Sequence, residues 1–308
     1  MLIKDLGESA FIERLRAIFP GTGAELGIGD DTAVCNVPPG HSILYCSDLV
    51  AENTHFIRNL HPPDSIGYKV IAVNVSDVGA MGGVPLFCTL SIALPGELEV
   101  SWLDGFIAGL ERACREFAVA LVGGDTSSAE RIFADVSMIG CVESGREVRR
   151  SGAKPGDGIF VTGCLGGSAL GLERLRRGLP GTERHLYPAP RHKVGKRVAV
   201  QAHAMIDVSD GLSTDLAHIL TESRVSARLF GARIPVAEGA SRDQALHGGE
   251  EYELLIVAAE LPGEVEGVSV TRIGEIVESS GGHRILLVDS AIETVLTPLG
   301  YQHFHSRP

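Results

Sequence analysis

The sequence predicts a mixed α/β (α+β) protein made of two α/β domains. Three observations lead there. The chain has 308 residues, enough for about two domains. Segments with helical periodicity alternate with short apolar runs in both halves. Between the halves, SGREVRRSGAKPGDG (144–158) is polar and carries five Gly or Pro, the composition of a boundary. The domains are therefore placed at 1–146 and 147–308.

The elements can be justified in order. In residues 9–19, Phe11, Ile12, Leu15, Ile18 and Phe19 form one helical stripe. SILYCSD (42–48) is a strand ending on Asp48. Residues 65–81 are nearly all apolar and too long for one strand, so a buried helix is expected. Residues 101–117 are strongly amphipathic, with Leu103, Phe106, Ile107, Leu110, Cys114 and Phe117 on one face. AVALVGGD (118–125) and IFADVSMIGCV (132–142) are strands. Beyond the boundary, GIFVTG (158–163) is a strand leading into the helix GGSALGLERLRRG. Residues 180–192 are proline-rich and irregular. MIDVSDGLSTDLAHIL (205–220) reads as strand, turn and helix, and GGEEYELLIVAA (248–259) as a strand. An acidic turn between strand and helix recurs in both halves, too faintly to establish a repeat.

Composition excludes several function classes. Hydrophobic residues make up 44% and charged residues 21%, ordinary for a globular protein. A formal net charge of −12 argues against nucleic acid or anionic membrane held by bulk electrostatics. The six cysteines, at 35, 46, 88, 114, 141 and 164, form no C-x-x-C pair and read as small core residues in a reducing compartment. MLIKDLGESA is charged too early for a signal peptide, and no run of 18 apolar residues occurs, so the cytoplasm is the expected location.

The chemistry concentrates in acidic turns. GIGDDTAV holds the adjacent pair Asp30 and Asp31, Asp48 ends a strand, Asp125 follows Gly123 and Gly124, and Asp207 and Asp210 flank Val208 and Ser209 in DVSDG. An Asp before Gly is ordinarily a turn or cap residue. Asp77 is different: it shares a helix face with Val70, Val73 and Asn74, and Lys69 is eight residues away. Burying that carboxylate calls for a distant basic partner or a cation. Hard oxygen ligands from several strand ends suit Mg²⁺. Mg²⁺ on carboxylates in turn suggests a nucleotide. Gly163, Gly166 and Gly167 could cradle a phosphate at a helix start, or make a plain tight turn. Arg149, Arg150 and Lys154 could grip a polyphosphate or form a solvated linker. Two like unit charges 4 Å apart repel by about 4 kcal/mol at an effective dielectric near 20. Aspartates facing a triphosphate therefore need more than one cation between.

GIGDDTAV, AVNVSDVGAMGGVP, VGGDTSS, RRSGAKPGD, MIDVSDGLSTDL, HGGEEYELL and GYQHF, in this order from about residue 7 to 304, resemble the thiamine-monophosphate kinase family. That family lies within the ATP-binding superfamily typified by aminoimidazole ribonucleotide synthetase. The resemblance implies two α/β domains, the N-terminal one binding Mg²⁺ and ATP and pairing with a second copy into a barrel-like homodimer core, the C-terminal one completing the nucleotide and substrate site. It implies transfer of the γ-phosphoryl of ATP to thiamine monophosphate through several Mg²⁺ ions. Asp30, Asp48, Asp77, Asp125, Asp207 and Asp210 match the family's Mg²⁺ ligands, with Cys46 and Ser47 beside Asp48 in the same metal segment. Asp30, Asp48, Asp77, Asp125 and Asp210 are the expected catalytic set. Gly124, Asp125, Arg150 and Ser209 match ATP contacts, and His55, Glu250 and Tyr301 match substrate contacts. Four features depart from the family pattern, the first being that Leu49 and Val50 come one place early after Asp48. Cys46 replaces a hydroxyl, leaving its backbone carbonyl as the better donor. Asn53 stands where Gly or a small residue is usual, and Glu251 stands where Asp is usual, with little expected consequence. Selenophosphate synthetase would need a reactive Cys in a Gly-rich N-terminal loop, and the hydrogenase-maturation relative would end in Cys; this chain has Cys35 first and ends HFHSRP. A cyclising purine-pathway synthetase fits GIGDD and GGEEYEL poorly, and a nucleotide sensor without turnover would not need six aspartates.

Overall fold

The computed structural model describes residues 1–304 except 22, 29–31, 280 and 291. Asp30 and Asp31 thus lie outside the described residues. The chain divides into two compact units, Met1–Val78 with Gly83–Gly145, and Gly79–Gly82 with Arg146–Pro308.

The first unit contains helices α1 (Ile3–Leu6) and α2 (Glu8–Ile18), strand β1 (His41–Ala51), helix α3 (Pro63–Ala80), strand β2 (Val84–Leu94), helix α4 (Val100–Phe117), and strands β3 (Ala120–Ser128) and β4 (Phe133–Glu143). The sheet order is β1-β4-β2-β3, with β2 and β3 parallel and the other pairs antiparallel. The hydrophobic pattern leaves β2 without an assignment, yet β2 lies between β4 and β3 in the sheet. The stripe expected at 101–117 is buried along α4, from Leu103 to Phe117. Helices α3 and α4 touch backbone to backbone through glycine. A Cβ on Gly67 would lie 2.0 Å from the Phe106 carbonyl oxygen, and one on Gly109 would lie 1.9 Å from that of Asp64.

One face of the sheet is buried: Ala134, Val136 and Met138 of β4 are fully covered. Asp48 pairs in register with Val136 and so shares this face. The other face carries Ile43, Tyr45, Leu49 and Phe133, all exposed.

The second unit contains β5 (Gly158–Thr162), α5 (Gly167–Arg176), α6 (Glu183–Leu186), α7 (His192–Val198), β6 (Ala202–Asp207), α8 (Leu212–Ser223), β7 (Ser226–Phe230), α9 (Arg242–His247), β8 (Leu254–Ala258), β9 (Glu264–Val265), β10 (Val268–Val277), β11 (Ile285–Asp289) and β12 (Ile292–Leu296). The sheet runs β12-β11-β7-β10-β5-β8-β6, and β9 pairs with β10. Its central strands are apolar throughout because both faces are covered. Ile159, Val161, Leu255 and Val257 pack with Leu212, Leu216 and Ile219 of α8. Phe160, Leu254 and Ile256 pack with Val194 and Val198 of α7. The strand expected over 248–259 starts only at Leu254. Residues 248–253 form an irregular turn with Glu250 (φ 62) and Tyr252 (φ 52) in the left-handed region.

Candidate functional site

In the first unit the expected strand end at Asp48 is instead strand interior, since β1 continues to Ala51, and its SD segment meets the helix segment NVSD. Asp48 of β1 and Asp77 of α3 bring their carboxyl groups within side-chain hydrogen-bond reach of each other. Burial raises the Asp48 carboxyl above its ordinary range; the nearby Asp135 charge adds to this and the Asp77 hydrogen bond opposes it. Cys46, two residues earlier on the same face of β1, points its thiol at Asn74 of α3, with Sγ 3.6 Å from Oδ1. Asn74 is fully buried and donates from Nδ2 to the Val70 carbonyl at 3.0 Å. Ser47 faces the opposite way, and its hydroxyl donates to Asp135 at 2.8 Å.

Asp125 is not brought to this pair. The row across the sheet reads Asp48–Val136–Leu90–Gly124, three strand spacings or about 14 Å. Asp125 is exposed and pairs with Ser91, hence with Asp135, on the face opposite Asp48. Gly124 is needed there: φ is +153, and a Cβ would lie 1.9 Å from the Leu90 carbonyl oxygen.

His55 follows the end of β1. Its Nδ1 accepts the Ala51 N–H at 3.0 Å, which places the imidazole proton on Nε2. The turn between them puts Asn53 at φ 67. This region suits glycine, and among other residues Asn enters it readily, which accounts for the substitution at this position.

In the second unit three sequence-distant motifs converge. The end of β6 delivers Asp207, Val208, Ser209 and Asp210 into α8. The HGGEEYE turn lies against it: Glu250 N–H donates to Ser209 O at 2.7 Å and Tyr252 N–H to Val208 O at 2.9 Å. Ser213 of α8 and His247 are 2.8 Å apart, Oγ to Nδ1. The C-terminal GY dipeptide joins them, with Tyr301 N–H donating to Asp210 O at 3.0 Å. The Tyr301 ring meets the His303 ring edge to face at 4.8 Å.

Burial raises the Asp210 carboxyl, opposed by the charges of His218, His303 and Arg150. Arg150 thus acts on the same turn. Asp210, Asp215 and His218 have ligand atoms within 4.8 Å of one another, and hard carboxylate oxygens there fit a divalent cation. Asp215 was not expected from the sequence, although it sits on the apolar face of α8 with Leu212 and Ile219, the signal that singled out Asp77. It is 1% exposed, and its Oδ2 accepts the N–H groups of Asp210 (3.1 Å) and Gly211 (3.0 Å). Burial, with Asp207 and Asp210 nearby, pushes its carboxyl up to about 8.

Glu250 lies 3.3 Å from the buried His185, Oε2 to Nδ1. The phosphate cradle considered at Gly163–Gly167 is filled from within the chain. Glu251 accepts the Ser168 N–H at 2.9 Å at the start of α5, and Gly166 N–H also acts on it. A Cβ on Gly163 would lie 2.2 Å from Glu253 Oε1. Glu253 is fully buried and is held by Arg184, by Arg191 through two 2.7 Å contacts, and by Thr162. Glu251, expected to matter little, therefore caps a helix.

Residues 29–142 match the family described as AIR synthase related protein, N-terminal domain. Thiamine-monophosphate kinase of Escherichia coli (strain K12) is 36% identical, over 91% of this chain and 92% of that one. The crystal structure of thiamine-monophosphate kinase from Stenotrophomonas maltophilia K279a superposes with a TM-score of 0.80 at 33% identity, covering 89% of this chain and 95% of its own. The structure of AaThiL complexed with AMPPCP and TMP gives 0.78 at 33% identity and covers 99% of both. On sequence and fold together, the chain belongs to the thiamine-monophosphate kinase family.

Proposed function

We propose that the chain transfers the γ-phosphoryl group of ATP to thiamine monophosphate, giving thiamine diphosphate and ADP. The observation that carries this is the AaThiL complex, in which a protein alike over 99% of both chains holds AMPPCP and TMP together. The oxygen donors fit Mg²⁺: Asp48 and Asp77 in the first unit, with Asp30 by family position, and Asp207 and Asp210 in the second. When bound, Mg²⁺ neutralises the repulsion between the acceptor phosphate and the γ-phosphate.

The chain's own groups supply binding and orientation. Arg150 and Ser209 contact ATP. His55 donates from Nε2 to the acceptor phosphate. Glu250 offsets the fixed positive charge of the thiazolium ring, and Tyr301 stacks on it, a contact of roughly 0.5–2 kcal/mol. The acceptor phosphate is ionised near neutral pH and needs no general base, so transfer is direct. His55 is poorly placed to carry a phosphoryl group, because its Nδ1 lone pair is engaged by Ala51 N–H and its Nε2 carries the proton. A stoichiometric, acid-labile label on the chain after incubation with γ-labelled ATP, without acceptor, would overturn direct transfer.

The exposed apolar sheet face is read as the homodimer surface. Asp125 lies on that face and too far from Asp48 to share an ion with it, so it serves the site of the second copy. The defining experiment measures ADP release across a panel of phosphate acceptors. Release that depends on thiamine monophosphate supports the assignment, and release without it, or with every acceptor alike, overturns it.

A further inference from the structure

We infer that Gly300 and Thr214 form a latch fixing Tyr301 against the turn that bears Asp210, so that the substrate-side aromatic takes its position from the carboxylate turn. The inference rests on the reading of Tyr301 as an acceptor contact and extends it to two residues of the same motifs that carry no assigned site role. Gly300 N–H donates to Thr214 Oγ1 at 3.1 Å, and Tyr301 N–H donates to Asp210 O at 3.0 Å. A Cβ on Gly300 would lie 2.3 Å from Asp210 O and 2.5 Å from Thr214 Oγ1, so any other residue must lift the tail off the turn. Thr214 is buried in the first turn of α8, and its own N–H is bonded to Gly211 O at 2.9 Å, which fixes the hydroxyl relative to the DVSDG backbone. Leu299, on one side of the latch, and residues 302–304, on the other, are exposed. Both contacts use main-chain donors of the tail, leaving the Tyr301 ring to meet its neighbours.

The test compares Thr214→Val, Thr214→Ser, Gly300→Ala and Tyr301→Ala by steady-state kinetics, and follows amide hydrogen exchange of residues 299–304 in the ligand-free protein. Losing one such hydrogen bond is worth about a tenfold change. Thr214→Val and Gly300→Ala should raise KM for thiamine monophosphate about tenfold, leave KM for ATP within about twofold, and speed tail exchange. Thr214→Ser should restore both. Gly300→Ala changes only the tail, so it keeps the test decisive if Thr214→Val disturbs α8. Unchanged KM in both variants, beside a raised KM in Tyr301→Ala, would overturn the latch, as would equal impairment in Thr214→Ser and Thr214→Val. If Tyr301→Ala itself leaves KM unchanged, the acceptor reading fails. Tail exchange then still decides the latch, and wild-type protection in Thr214→Val and Gly300→Ala overturns it.

Discussion

A carboxylate on a buried helix needs compensation, and Asp77 faces a second carboxylate, Asp48, so the pair is costly to bury without a cation. Replacing Asp77 with Asn removes one oxygen donor and one of two like charges. Turnover should fall to background while the thermal midpoint without Mg²⁺ holds or rises; ADP release near the wild-type rate at ordinary Mg²⁺ would sink the cluster. Glu251 allows a prediction in pH. Burial, opposed by Arg184 and the Ser168 N–H, pushes its carboxyl up to about 7, against an ordinary value of 4.5. Between those values the folded protein holds a proton that the unfolded chain has lost, so this group's contribution to stability falls as pH rises from about 4.5 to about 7. The slope is at most about 1.4 kcal/mol per pH unit. Glu251→Gln should flatten that part of the midpoint-versus-pH curve, and an unchanged curve would count against the buried proton. Asp77 was legible in the sequence because helical periodicity puts it among buried residues, and the same logic reaches Asp215. His55 and Tyr301 carried no such mark: the backbone groups they bond, Ala51 N–H and the Asp210 carbonyl, lie four and about ninety residues away, and only family resemblance singled them out.

At the scale of elements, pattern is readable where a helix or strand has one clear environment. The α4 stripe follows from its single buried face. β5 and β8 read as continuous apolar runs because helices cover both faces of their sheet. β2 escapes because VPLFCTLSIAL is equally compatible with a buried helix until its neighbours are known. The turn at 248–253 escapes because left-handed backbone at Glu250 and Tyr252 is not encoded by glycine. The α3–α4 contact gives the test at this scale. Gly109→Ala would drive a methyl into the Asp64 carbonyl and should cost about 2–3 kcal/mol in denaturant unfolding. Gly263→Ala, where a Cβ meets nothing within 4 Å, should stay within about 0.5 kcal/mol. Equal effects from the two would mean that the helices do not pack this closely.

For the whole molecule, net charge and the absence of a long apolar segment were readable at once; among the described residues no helix is long and apolar enough to cross a membrane. The exposed apolar sheet face was not readable, since Ile43, Tyr45 and Leu49 alternate with inward residues as in any strand and only the structure shows their side uncovered. If Asp125 serves the second copy, coexpressed Asp48→Asn and Asp125→Asn chains should regain activity that neither has alone, because a mixed pair contains one intact site. No recovery would place both carboxylates in the same copy's site. On the two-copy reading, the opposite sheet edges that hold Asp48 and Asp125 also tie chemistry to mass action. If the second copy supplies Asp125, a separated chain would retain Asp48 and lack the other half of the ion's coordination. Specific activity should then collapse on dilution below the dimer's dissociation constant, and the enzyme would in effect register its own abundance.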